Sequence, residues 1–222
     1  MNNIKYGLVG TGRLGSEVEA VFKENNCKIV LKEDINGTWQ EDTPELIVDC
    51  SLPEAFSKTI EHVKSFEVPL IMATTGLTNE HLKMLSSLAK IVPVIQSFNY
   101  SVGIQILLKL TEITKDIVPD WDVEITETHH RFKKDKPSGT AKMIQDVFKD
   151  KNIEASSLRL GNVAGDHTVY FGGLGEVISI KHSATSRRTF AEGIFKSAEF
   201  IMKQKPGLYT FKDVVFNSKN EG

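Results

Sequence analysis

The chain has 222 residues, 40% of them hydrophobic and 25% charged, with a formal net charge of -2. That is enough chain to bury one large core or two small ones, in the composition range of ordinary soluble globular proteins. The near balance of charge gives no overall attraction to nucleic acid or anionic membrane, and no apolar run approaches the roughly 20 residues that span a bilayer. The polar Asn2, Asn3 and Lys5 interrupt any secretory leader, so a cytoplasmic protein is expected. Cys27 and Cys50 lie in apolar runs and read as buried free thiols of a reducing compartment, not as a disulfide.

Residues 4–9 form an apolar run that reads as a strand, followed by Gly10-Thr11-Gly12-Arg13-Leu14-Gly15 and then by Leu14, Val18, Val21 and Phe22 at helical spacing. Strand, G-x-G-x-x-G and helix is the dinucleotide fingerprint in its required context: the glycines allow a tight turn, close approach to a pyrophosphate and close helix–strand packing. A second strand is expected over residues 28–31. It ends about 20 residues on, where the ribose-reading side chain belongs, and Lys32, Glu33 and Asp34 stand there. An acidic group there suits NAD and a lysine suits NADP; with both signs side by side the choice stays open. Further strands are expected over residues 46–49, 70–73 and 92–96, separated by helices that start at Pro53 and near Glu80. Alternation of this kind predicts an α/β, Rossmann-type, doubly wound parallel sheet with ligands at the strands' carboxyl ends. Three polar segments fall at such ends: residues 50–53, residues 74–76, and residues 98–101.

Residues 102–118 predict a long amphipathic helix that leaves the first domain. Residues 121–127 alternate apolar and polar, as a half-buried strand does, and deliver the chain into a basic stretch, residues 127–141. This stretch holds His129, His130, Arg131, Lys133, Lys134 and Lys136, and then Ser138-Gly139-Thr140 at the start of a helix. Composition leaves two readings open, an exposed basic loop with a capping serine, or an anion cradle beside proton-transfer groups. Strands over residues 157–160, 168–171 and 176–182 then give a smaller α+β domain with an open mixed sheet, which invites pairing with another subunit. A helix over residues 189–205 stops at Pro206-Gly207, and the apolar tail is expected to return to the first domain. The division expected is residues 1–102 with 188–222 as a dinucleotide-binding domain, and residues 103–187 as a substrate-binding and oligomerisation domain.

The segments V-G-T-G-R-L-G, A-T-T-G, N-Y-S-V-G, E-T-H-H-R-F-K-K-D-K-P-S-G-T-A and S-A-T-S-R-R-T-F-A-E-G resemble, in order and over nearly the whole chain, the 4-hydroxy-tetrahydrodipicolinate reductase (dihydrodipicolinate reductase) family. The resemblance implies NADH- or NADPH-dependent reduction of a cyclic imine dicarboxylate in the diaminopimelate route to lysine, by a homotetramer. By position it implies His129 as principal proton donor or acceptor, Lys133 as second proton donor, His130 as a substrate-binding residue, and Gly139 with Thr140 as holders of a substrate carboxylate. The cofactor segments it implies are Gly10, Thr11, Gly12, Arg13 and Leu14, then Ala73, Thr74 and Thr75, and then Phe98, Asn99, Tyr100 and Ser101, with Lys32 and Glu33 in the ribose region. The sequence departs from the family pattern in a glycine loop one residue shorter, in Ala73 for glycine, in Lys136 for alanine, and in Lys32-Glu33, whose order is reversed. With nicotinamide and substrate on different domains, hinge closure near Val102 and Arg188 is expected.

Other classes fit less of the chain. Aspartate or diaminopimelate dehydrogenases would share the plan without the H-H-x-x-K and P-S-G-T motifs, and a non-catalytic NAD(H)-sensing module leaves the histidine–lysine cradle without a purpose. A metal at His129, His130 and Asp135 is not expected, since adjacent histidines on an extended chain point apart. Nor is nucleic-acid binding, which has only a short cation cluster behind it.

Overall fold

Apolar runs too short for helices alternate with amphipathic stretches through the first hundred residues, and each takes the form its period dictates. A computed structural model describes residues 3–149 and 151–216, and the chain divides into two compact units, Met1–Tyr100 with Arg188–Gly222, and Ser101–Arg187. The first unit opens with β1 (Lys5–Val9), buried at four of five positions, and α1 (Arg13–Glu24), which buries Gly15, Val18, Val21 and Phe22. β2 (Lys28–Asp34) lies parallel to β1. It runs three residues beyond the expected end and turns into an antiparallel partner that the sequence pattern does not predict, β3 (Gly37–Gln40). The cause is local: Asn36 donates its N–H to Asp34 Oδ1 at 2.7 Å and Gly37, paired with Asp34, takes φ +117°, so Ile35 and Asn36 form a two-residue turn. Lys32 and Glu33 are therefore strand residues, and the sheet is mostly parallel with one antiparallel edge.

β4 (Leu46–Asp49), β5 (Leu70–Met72) and β6 (Pro93–Gln96) extend the sheet in parallel on the other side of β1. A 3-10 turn at Pro53–Ala55 leads into α2 (Phe56–Phe66), which buries Phe56, Ile60 and Val63. Each of these side chains contributes about 1.5–3 kcal/mol when fully buried. α3 (Asn79–Leu88) begins at a capping box between Thr78 and His81 and buries Leu85 and Leu88.

In the second unit Ser101 caps α4 (Val102–Ile117) by accepting the Ile104 N–H. β7 (Asp122–His129) carries the expected alternation two residues further, so that His129 ends a strand instead of starting a loop. Ser138 caps α5 (Gly139–Gln145), and β8 (Ala155–Arg159), β9 (Asp166–Gly172) and β10 (Val177–Ser183) follow. The sheet order is β10-β9-β7-β8, parallel only between β7 and β8. One face packs Ile125, Val169 and Phe171 against Leu107, Ile144 and Phe148. The other presents polar registers such as Thr126 opposite Thr168 and Tyr170 opposite Ser179.

α6 (Arg188–Ile201), β11 (Gly207–Tyr209) and α7 (Phe211–Phe216) complete the first unit. β11 pairs in parallel with β6, giving the order β11-β6-β5-β4-β1-β2-β3. Ala191, Ile194, Ala198 and Phe211 join Tyr6, Leu8 and Phe22 in the core of one sheet face, while Phe56, Ile60 and Leu85 belong to the other. Helices on both faces of a sheet whose order reverses between β1 and β4 make this a doubly wound Rossmann-type fold. Among the described residues no helix is long and apolar enough to cross a membrane.

Candidate active site

The loop after β1 meets the loop after β4 at the point where the strand order reverses. Gly10 has φ +89°, and a Cβ there would lie 2.6 Å from the Ser51 Cα; a Cβ on Gly15 would lie 2.0 Å from the Gly10 carbonyl oxygen. Both glycines are required by backbone contact. Gly12 differs: nothing lies within 4 Å of its missing Cβ, so the side open to a ligand is the one its lack of a side chain clears.

A buried carboxylate braces this corner. Asp49 is 0% exposed. Its Oδ1 accepts from the Ser51 N–H at 2.9 Å, the Ser51 hydroxyl at 2.5 Å and the Thr74 hydroxyl at 2.7 Å, and its Oδ2 accepts from Thr59 at 2.6 Å. Of the expected cofactor segment after β5, Ala73 and Thr74 are buried, Thr74 has its hydroxyl committed to Asp49, and Thr75 is exposed. In the next segment Phe98 is exposed and Asn99 is buried. Tyr100 belongs to the core and donates its hydroxyl to the Met72 carbonyl at 2.9 Å, while Ser101 lies 3.1 Å from His182 Nε2. Arg13 is exposed and Leu14 half-buried at the start of α1.

Strand alternation sorts the ribose-region residues. Lys32 and Asp34 share a face: Lys32 is paired with Glu19 of α1 at 2.8 Å, and Asp34 accepts from the Thr11 hydroxyl at 2.9 Å. Bonds from the Asn36 N–H and from Thr11 hold Asp34 below the usual carboxylate range. Glu33 points the opposite way, against Thr38 and, at 3.2 Å, His62.

The second cluster is built on β7. Glu127 and His129 are two residues apart on a strand and so face the same side. Glu127 is 1% exposed. One of its oxygens accepts from Arg159 Nη2 at 2.9 Å and the other from His129 Nδ1. Burial alone would raise this carboxyl, but the bonds from Arg159 and His129 outweigh it and hold it at about 2. An ionised Glu127 fixes the histidine tautomer, with Nδ1 protonated and Nε2 left for chemistry. Burial pushes His129 below its ordinary 6.5, opposed by Glu127 and assisted by Lys133 and Arg159. His167, 2% exposed, sits edge-on to His129 with ring centroids 5.1 Å apart, and its Nε2 lies 3.3 Å from the Ser138 hydroxyl. Burial first, and then the charge of His129, drive His167 down to about 3.

The loop after β7 carries Lys133, whose ammonium pairs with Asp135 at 2.8 Å, and the half-buried His130, whose ring lies 6.4 Å from that of Phe132. Gly139 and Thr140 open α5, with Thr140 buried. Arg131, Lys134 and Lys136 are exposed. Among the described residues Glu127, His129 and His167 each bring one ligand-type atom within 4.8 Å of the others. This differs from the His129, His130 and Asp135 set weighed from sequence, and its carboxylate is already shared between Arg159 and His129. The sequence reading does not single out Glu127, Arg159, His167 or Asp49, which the structure places in these two clusters. Glu127 is legible in principle, because an E-x-H spacing on a strand places both side chains on one face. Arg159 and His167 reach the cluster from other strands and leave no local signal.

Fold and clusters together define a two-unit dehydrogenase-type reductase: a Rossmann nucleotide unit, and a sheet unit carrying a buried histidine–carboxylate pair. The profile for dihydrodipicolinate reductase, N-terminus, matches residues 11–100, and that for dihydrodipicolinate reductase, C-terminus, matches residues 103–215. The chain is 46% identical over 213 residues to the 4-hydroxy-tetrahydrodipicolinate reductase of Thermosipho africanus, covering 96% of this chain and 98% of that one. It is 35% identical over 237 residues to the enzyme of the same name from Rickettsia rickettsii, covering 95% and 98%. The chain belongs to the dihydrodipicolinate reductase family. Its fold is also that of the dipicolinate-bound dihydrodipicolinate reductase from Paenisporosarcina sp. TG-14, with a TM-score of 0.75 at 22% identity over 95% of this chain and 98% of that one. Aspartate dehydrogenase from Thermotoga maritima shares the fold more distantly, with a TM-score of 0.54 at 14% identity over 91% and 97%.

Proposed function

We propose that this protein reduces 4-hydroxy-tetrahydrodipicolinate to tetrahydrodipicolinate in the diaminopimelate route to lysine, in the cytoplasm, as a homotetramer assembled through the open face of the second unit's sheet. The observation that carries the reading is His129 held at Nδ1 by a buried, ionised Glu127, in a chain that matches this reductase family over 96% of its residues.

The glycine loop supports a nicotinamide dinucleotide: Gly10 and Gly15 are packed to backbone distance, and Gly12 leaves clear space for a pyrophosphate. When bound, the reduced nicotinamide supplies the hydride. Gly10, Thr11, Gly12, Arg13 and Leu14 would hold its phosphates, and Ala73, Thr75, Phe98 and Asn99 would contribute to the rest of its site. The substrate's carboxylates are taken by His130, Lys133, and the N–H and hydroxyl groups of Gly139 and Thr140. Hydride addition to the ring carbon conjugated with C=N leaves an enamine-like anion. His129 delivers a proton to it from Nε2, Glu127 stabilises the imidazolium in the protonated form, and Lys133 is the second proton donor. For the nucleotide itself, NADH is the better fit. One carboxylate, Asp34, closes the ribose region beside Thr11, and the lysine that would attract a 2′-phosphate is neutralised by Glu19.

The test is oxidation of reduced nicotinamide with the freshly condensed product of aspartate semialdehyde and pyruvate. Turnover is expected, and His129→Ala or Lys133→Ala should each cost roughly 100-fold or more in rate. Unchanged rates in both variants would remove these residues from the chemistry.

A further inference from the structure

Arg159 closes β8 directly across from His129, and its guanidinium makes more contacts than an ion pair needs. Its Nη2 reaches Glu127 Oε1 at 2.9 Å and the Asp135 carbonyl at 2.5 Å, its Nε reaches the Lys133 carbonyl at 3.2 Å, and its Nη1 reaches the carbonyl of its neighbour Leu158 at 2.6 Å. Its side chain is 9% exposed, and that of Glu127 is 0% exposed. A pair this enclosed gains little net stability against apolar replacements, because desolvation of both ions offsets their attraction. What it does provide is direction. The planar guanidinium fork fixes several acceptors at once, which an ammonium on a flexible stem does not.

We propose that Glu127 and Arg159 form a positioning couple that sets the two proton-transfer groups against each other: Glu127 orients His129 through Nδ1, and Arg159 ties both that carboxylate and the backbone carrying Lys133 to β8. The proposal rests on the functional reading above for the roles of His129 and Lys133. Neither Glu127 nor Arg159 needs to touch substrate. The charged and titratable groups facing His129 are Glu127 on its own strand, Arg159 on β8, His167 on β9, and Lys133 with Asp135 on the loop after β7. Of these, Glu127 favours the imidazolium, whereas Arg159 and Lys133 disfavour it.

The experiment follows the His129 imidazole by NMR titration in the protein without ligands, alongside the pH profile of kcat and the KM for substrate. Glu127→Gln keeps the shape and removes the charge. The His129 titration point should fall by about one pH unit, because the remaining cations are no longer opposed. kcat should drop about tenfold or more, with KM changed no more than about threefold. Arg159→Lys keeps the charge and removes the fork. It should cost about tenfold in kcat in the wild type, and a factor at least about threefold smaller in the Lys133→Ala background, because the group it positions is gone. A folded Glu127→Gln protein with an unmoved His129 titration and unmoved kcat overturns the proposal, as does an Arg159→Lys cost that is the same in both backgrounds. If Glu127→Gln does not fold, the Arg159→Lys cycle decides. If the wild type fails to turn over this substrate, it is the functional reading that falls, and the His129 titration still tests the couple.

Discussion

At the scale of single residues, the proposed preference for NADH rests on two side chains of opposite charge on one face of β2. Lys32 reads from sequence as a phosphate-attracting cation, but its ammonium is held by Glu19, while Asp34, on the same strand face, reaches back to Thr11 of the glycine loop. A carboxylate beside the ribose favours hydroxyl partners and repels a 2′-phosphate. Asp34→Arg should therefore shift the ratio of kcat/KM toward NADPH by about tenfold or more, whereas Lys32→Ala should leave the NADH-to-NADPH ratio within about twofold. Steady-state kinetics with both nucleotides checks this, and a preference that follows Lys32 instead would reverse the assignment. In the sequence Lys32, Glu33 and Asp34 are an unresolved mixture, because only the strand's true end, set by the turn that extends β2, sorts which carboxylate faces the loop. The histidines and Lys133 are legible as a motif. Arg159 is not, because it sits 30 positions after His129 in sequence and meets it only through strand pairing.

Secondary-structure elements show a division of labour among the glycines that look alike in G-x-G-x-x-G. Gly15 lets α1 lie on the Gly10 carbonyl, and Gly12 faces open space. Gly15→Ala should destabilise the protein by about 1–3 kcal/mol, because the helix must retreat from a backbone atom. Gly12→Ala should leave the melting temperature nearly unchanged yet weaken nucleotide binding. Thermal unfolding and a nucleotide titration separate the two, and equal melting temperatures for both variants would refute the packing argument. Most helices and strands follow from period alone, since apolar runs of four or five residues leave little choice. β3 does not. All four of its residues are exposed, so burial writes no pattern into them, and only the Asn36-Gly37 pair, at the step from turn to strand, announces it.

For the molecule as a whole, the buried histidines set the acid limit. His167 is held at about 3, and His129 and His182 lie below 6.5, in each case chiefly through burial. A group whose folded pKa is depressed contributes fully above its unfolded value and loses that contribution as the pH falls through the folded one. Stability should thus be flat above about pH 6.5 and decline below it, because the unfolded chain takes up a proton that folded His167 does not accept until about pH 3. Glu127 adds a second decline from about 4.5 toward 2. Each tenfold loss of proton affinity on folding corresponds to about 1.4 kcal/mol, so the histidine part alone reaches several kcal/mol. Denaturant midpoints measured across this range check the slope, and His167→Gln should flatten its upper part. A midpoint that does not move between about pH 7 and about pH 5 would contradict the burial argument.

The order in which the ribosome delivers the chain has its own consequence. β11, which covers the edge of β6, and α6, which supplies Ala191, Ile194 and Ala198 to one side of the sheet, are synthesised only after the whole of the second unit. Until they arrive, the first hundred residues present a bare strand edge and an uncovered apolar face, the conditions under which nascent chains associate with one another. The inserted unit, in contrast, has all its strands and its own core in one continuous segment. Folding on the ribosome should therefore finish in the inserted unit before it finishes in the unit that flanks it. A chain released before β11 should be captured by chaperones or aggregate while its middle unit is already native.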